Sequence, residues 1–180
     1  MLRKFRVVLV CFLASLVVLL FAQSAKAELD DKVIYERQAI IIYKFLGYVG
    51  WPQLTYSDGI KNIDLCIVGE DKWGAILDKI ADRAKSQKES IINVKRGVPA
   101  SAIDGCNVIL VSGAANSNAV IESSKSKAVL TISDAKGFSA LGGIVEFVKQ
   151  EGGIGFKINN IRARSVGLKI DSELLDMAQK

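Results

Sequence analysis

The sequence has no histidine, which removes the commonest general base and metal ligand. Other absences narrow its chemistry further. No strand-like run leads into a G-x-G-x-x-G or phosphate-loop sequence, so nucleotide binding is not signalled. Ser112 lies in Val111-Ser112-Gly113 without the flanking glycine of a nucleophile elbow. Glu70 and Asp71 are adjacent, and adjacency alone does not set up an acid and base pair. Cysteines without histidine make a weak metal site. The expectation is a protein that is not an enzyme and carries neither cofactor nor metal.

The N-terminus reads as an export signal. Arg3, Lys4 and Arg6 precede an apolar run from Val7 to Phe21, and Ala25-Lys26-Ala27 supplies the small-x-small pattern of a cleavage site. Residues 1–27 are therefore expected to be a secretory signal peptide, cut after Ala27. The apolar run is shorter than the ~20 residues that span a bilayer. Val10, just before Cys11, is not the small residue that a lipoprotein site prefers.

The leader also explains the charge. Arg3, Lys4, Arg6 and Lys26 leave with it and no acid does, so the 24 basic residues fall by these four to 20, against 19 acidic ones. The apparent basicity thus gives no reason to expect nucleic acid or an anionic membrane as partner. Residues 28–180 suit one domain with a single core, and no linker, internal repeat or low-complexity tract interrupts them.

Periodicity predicts a helix over 31–46, with Ile34, Ile41, Phe45 and Tyr48 on one stripe, widened by Ile42, Leu46 and Val49. Trp51-Pro52 closes it. Ile63 to Val68 reads as a first strand. Trp73, Ile76, Leu77 and Ile80 recur at helical spacing, and Ser90 to Val94 is a second strand. Strand, helix, strand implies a right-handed parallel crossover. Cys106 to Val111 is a third strand, a short helix lies within Asn116 to Ser123, and Ala128 to Ile132 is a fourth strand. Ile144 to Val148 and Ile154 to Ile158, split by glycines, read as an antiparallel hairpin. Near the C-terminus Ile161, Val166 and Leu168 are expected to look inward, with Arg162, Arg164 and Lys169 toward solvent. Asp171 or Ser172 caps a last helix that buries Leu174, Leu175 and Ala178. The fold class is α/β, a mainly parallel sheet of order 2-1-3-4 with the hairpin at its edge and helices on both faces.

That topology predicts a ligand crevice. The loops after strands one, three and four carry Glu70, Asp71, Ser112, Gly113, Ser133 and Asp134 to the carboxyl edge of the sheet, where open α/β sheets bind ligands. The plainer reading is that these residues form turns and cap helices.

Cys66 and Cys106 are an even pair in an exported chain, and they lie on strands expected to be neighbours. Adjacent strands run about 4.8 Å apart, within reach of a disulfide. Register resists the pairing, because Cys66 is mid-strand and Cys106 begins its strand. Either one strand starts elsewhere than its apolar run suggests, or the two thiols are free and buried.

A resemblance covers nearly the whole exported chain. Tyr48-Val49-Gly50-Trp51-Pro52, Leu65 to Asp71, Gly105 to Val108, Val129 to Asp134, Gly142-Gly143-Ile144, Phe156 to Asn159 and Gly167 to Ile170 with Leu174-Leu175 occur in the order and spacing of the YfiR family. The resemblance implies a periplasmic repressor that binds the sensory region of an inner-membrane diguanylate cyclase (YfiN) and lowers cyclic-di-GMP signalling and biofilm formation. It further implies relief by an outer-membrane lipoprotein (YfiB), a homodimer, and Cys66 with Cys106 as one family cysteine pair. Family members under redox control carry a second pair around the hairpin. This chain has Val145 there and no cysteine from Lys149 to Gly155.

Two other classes stay open, a periplasmic small-molecule sensor using the crevice and an accessory protein of the envelope. Candidate partner surfaces are Trp51, Arg162 with Arg164, and Lys157 on the hairpin edge. Trp51 has a plainer reading, as a bulky wedge between the first helix and the sheet.

Overall fold

The structure is a computed structural model and describes residues 31–52, 54–150 and 153–179. The expected leader and its cleavage site lie outside the described residues. The chain divides into two compact units, residues 1–35 and 36–180. Of the first, residues 31–35 are described and are helical.

Helix α1 spans 31–48, two residues beyond the expected end at Leu46. Its buried stripe runs through Gln38, Ala39, Ile42, Phe45 and Leu46, so the apolar face is rotated from the Ile41 and Tyr48 line toward Ile42 and Leu46. Strand β1 (Val49–Gly50) follows directly. It pairs antiparallel with β9 (Lys169–Ile170) in a two-stranded sheet. Neither strand was legible as a periodic run, because two residues carry no period.

The main sheet has seven strands. β2 (Thr55–Ser57) and β3 (Ile60–Val68) form a hairpin, and β3 continues parallel to β4 (Ser90–Lys95) on one side and β5 (Val108–Val111) on the other. β6 (Leu130–Ser133) lies parallel to β5. β7 (Val145–Gln150) is parallel to β6 and closes an antiparallel hairpin with β8 (Gly153–Ile158). The order β4-β3-β5-β6-β7-β8 is the expected doubly wound arrangement, and β2, which was not expected, pairs with the start of β3.

Each face of the sheet carries helices. Leu65, Ile92 and Val94 meet Ala39, Ile42 and Leu46 of α1 and Leu77 and Ile80 of α2 (Ala75–Ser86). On the other face Cys66, Val68, Ile109, Val111 and Val129 pack with Val120 and Ile121 of α3 (Ala114–Ser123), together with Ile103 and Phe138. β5 and β6 are buried along their whole length; β5 is accordingly apolar throughout, while β6 buries the hydroxyls of Thr131, which accepts from the Ile144 amide, and Ser133, which donates to the Val111 carbonyl. Each large side chain so removed from water contributes about 1.5–3 kcal/mol.

The C-terminal region departs from expectation at Ile161, which is 78% exposed on α4 (Asn160–Ser165) and does not look inward. Ala163 and Leu168 take the buried positions. Asp171 caps α5 (Ser172–Met177) by accepting from the Glu173 amide, and Leu174 is its buried residue. Strand starts also differ from expectation: β5 begins at Val108, two residues after Cys106, and β6 at Leu130, two after Ala128.

Candidate functional site

The six residues expected at the carboxyl edge stand on three loops tied to one another. Gly69, at φ 91°, passes so close to the neighbouring loop that a Cβ would fall 2.5 Å from Asn116 Nδ2 and 2.6 Å from the Ser112 carbonyl. Only glycine fits there. Ser112 Oγ donates to the Glu70 carbonyl at 2.7 Å, and Asn116 Nδ2 donates to the Ser112 carbonyl at 2.7 Å. Gly113 precedes α3 with no side-chain cap. Ser133 Oγ donates to the Val111 carbonyl and accepts from the Ala135 amide, and Asp134 pairs with Lys72 at 3.4 Å.

Asp71 organises the entry to α2. Its carboxylate accepts from the amides of Trp73 and Gly74 at 3.0 and 2.8 Å, and from Arg96 Nε at 2.6 Å. Arg96 also reaches Asp78 and the Gly74 carbonyl. Hydrogen bonding to Asp78 first, then to Asp71, holds the guanidinium above its ordinary pKa. These polar groups thus make turns and fasten strand ends to helix starts.

A second polar cluster sits under the hairpin. Glu146 is 4% exposed and accepts from the Gly137 amide at 2.8 Å, the Ser139 amide at 3.0 Å and Ser139 Oγ at 2.7 Å. Burial alone pushes its carboxyl pKa up. The Ser139 hydroxyl, the two amides and the charge of Lys157, its cross-strand neighbour, outweigh burial and hold it below the ordinary value. Sequence reading passed over this residue, although an acid inside the apolar run Ile144 to Val148 was a signal. Gln38, buried and bonded to Trp73 Nε1 at 3.1 Å, was missed in the same way.

Cys66 and Cys106 form a disulfide with Cα atoms 6.0 Å apart. It is not a rung between two strands. Cys66 pairs in register with Ile109, while Cys106 lies in the turn before β5, its amide bonded to the Ile103 carbonyl. The turn folds beneath the sheet, and the register difficulty disappears.

At the amino end of the sheet a groove of about 670 Å³ is lined by Trp51, Asn62, Asp64, Asn107, Lys127 and Val129, among others. Trp51 is 9% exposed, and its indole donates to the Asn107 carbonyl at 3.0 Å. Arg162 donates to the carbonyls of Lys125 and Ser124 at 2.9 and 3.0 Å, complementing the negative end of α3; it is not simply turned to solvent. Arg164 and Lys157 are exposed. Beside Lys157 the edge of β8 is partly covered, since the Gln179 amide donates to the Phe156 carbonyl at 2.8 Å. Among the described residues no group of acids and cysteines is placed to hold a metal.

A doubly wound, mainly parallel sheet with a hairpin edge and helices on both faces defines the class: a mixed α/β domain. The sequence model of the YfiR/HmsC-like family matches residues 35–179, and the chain belongs to that family. The YfiR/HmsC-like match points to a periplasmic regulatory protein. No curated protein matches the sequence. Among solved structures, an ABC domain in complex with L-Trp from Streptococcus pneumonia is similar at 14% identity, with a TM-score of 0.51 over 81% of this chain and 59% of that one. A conserved domain protein from Vibrio cholerae is similar at 12% identity, with the same TM-score and coverage. This chain therefore spans 59% of either protein, and the likeness is one of fold. Among the described residues no helix is long and apolar enough to cross a membrane.

Proposed function

We propose that this protein is exported to the periplasm, binds the periplasmic sensory domain of an inner-membrane diguanylate cyclase and holds the cyclase inactive, lowering cyclic-di-GMP and biofilm formation. The observation that carries this reading is the family match over 35–179, which takes in every element of the main sheet. The partner surface in this reading comprises the Lys157 edge of the hairpin, Arg164, and the region around Trp51 and Arg162. A homodimer, and relief of repression by an outer-membrane lipoprotein, belong to the same reading.

The test is a pull-down and calorimetric titration with the cyclase's isolated periplasmic domain. Micromolar binding that weakens in Lys157→Glu or Arg164→Glu, with thermal stability retained, is the expected result. Absence of binding at micromolar concentrations sinks the repressor reading.

A second reading keeps Glu70, Asp71, Ser112, Gly113, Ser133 and Asp134 as a small-molecule sensor site at the carboxyl edge, where Asp71, Ser112, Ser133 and Asp134 already bond within the protein. It requires saturable binding of a small metabolite without any protein partner. A thermal-shift screen that moves the melting temperature with none removes it.

A further inference from the structure

β8 is the last strand on its side of the main sheet, and among the described residues no other strand lies beyond it. Its outer edge is held at one place by the end of the chain. The Gln179 amide donates to the Phe156 carbonyl at 2.8 Å, and Gln179 bridges to Lys157 in the parallel sense. Because that carbonyl points away from β7, the alternation of an antiparallel strand turns the amides and carbonyls of Ile154 and Ile158 to the same outer edge.

The two faces beside this edge differ. Ile154, Phe156 and Ile158 are half-buried on one of them, with Phe156 edge-on to Phe45 at 4.9 Å. On the other face lie Gly155 and the exposed Lys157. A Cβ on Gly155 would collide with Gln150 Nε2 and fall 3.0 Å from Gln179 Nε2. The absent side chain is what lets both glutamine amides lie over the strand.

The hold on the edge is slight. α5 ends at Met177 and Ala178 is extended at φ −73° and ψ 145°, so that among the described residues Gln179 alone meets β8 from this segment. Chain ends held this way open at little cost. An extended segment laid along Ile154, Phe156 and Ile158 replaces that one backbone bond by several.

We infer that the end of the chain is a displaceable strap, which occupies the β8 edge until an extended segment of the cyclase's sensory domain takes its place. The inference rests on the repressor reading and names how that partner is engaged. The matching segment alternates apolar residues, set beside Ile154, Phe156 and Ile158, with polar ones, of which an acid faces Lys157.

The test compares the full exported chain with Gln179→Pro and with a chain ending at Ala178. Proline removes the amide donor, and Ala178 already has the extended conformation that a residue before proline favours. Each form is titrated calorimetrically with the cyclase's isolated periplasmic domain, and amide hydrogen exchange is followed in the complex. Both variants are expected to bind roughly two- to tenfold tighter, the range that one exposed backbone hydrogen bond holds back. Their melting temperatures stay near that of the parent, and exchange at the Ile154 and Ile158 amides slows on binding in all three forms. Unchanged or weaker affinity in both variants overturns the strap and leaves the repressor reading in place, as does a complex in which those two amides gain no protection. Absence of binding by every form removes the repressor reading and the strap with it.

Discussion

Gly143 lies against the ring of Phe138, and a Cβ built on it would fall 2.2 Å from Cε1. Phe138 is fully buried in one cluster with Val120, Ile121 and Val129. Gly143→Ala is expected to destabilise the fold by about 1–3 kcal/mol through overpacking. Urea unfolding measures it, and an unchanged midpoint would show that the ring can move.

Glu146 makes the stability of the hairpin region depend on pH. Its folded pKa lies below the ordinary 4.5, so its contribution is full above that value and is lost as pH falls toward the folded pKa. Above pH 5, Glu146→Ala leaves the Gly137 and Ser139 amides without their acceptor and costs about 1–3 kcal/mol. In an acid titration the gap between parent and Glu146→Gln should narrow below pH 4.5; a gap that stays constant there contradicts the assignment.

The disulfide closes a sequence separation of 40 residues, for which loop-closure entropy gives about 4 kcal/mol. The double change Cys66→Ala with Cys106→Ala should lower the urea midpoint accordingly. Thiol counting on the unfolded, unreduced protein should find none at these two positions. Two free thiols there would remove the bond.

Arg96 bridges Asp71 and Asp78 at 2.6 and 2.8 Å, but its side chain is 37% exposed. Solvent screening reduces what such a pair contributes, so Arg96→Ala is expected to cost only about 1 kcal/mol. The cost should shrink further near 1 M salt. A loss that is large and independent of salt would mean that the side chain acts by packing instead.

Much of the fold was legible in the chain. Buried parallel strands show as apolar runs at Ile63 to Val68 and Cys106 to Val111, broken only by Asp64 and Asn107, and the intervening three- and four-residue spacing marks α2. The natural doubly wound order 2-1-3-4 is the one observed in β4-β3-β5-β6, to which the structure adds β2 beside β3. Strand starts were less legible, since Cys106 and Ala128 belong to apolar stretches yet precede the hydrogen-bonded ladder. For the same reason the disulfide was anticipated as a pair but placed in the wrong local structure.

The sequence by itself determined the parallel core with its hairpin, the cysteine pair and the family, but not the short strands β1, β2 and β9. Each depends on period, composition or motif spacing, which are properties of neighbours along the chain. Only the tertiary structure decided that Glu146 and Gln38 are buried with partners, that Ile161 faces solvent, that Arg162 closes the end of α3, and that the Trp51 indole bonds to the Asn107 carbonyl. These outcomes depend on which residues far apart in the chain come within hydrogen-bonding or van der Waals reach, and a local pattern holds no information about that distance.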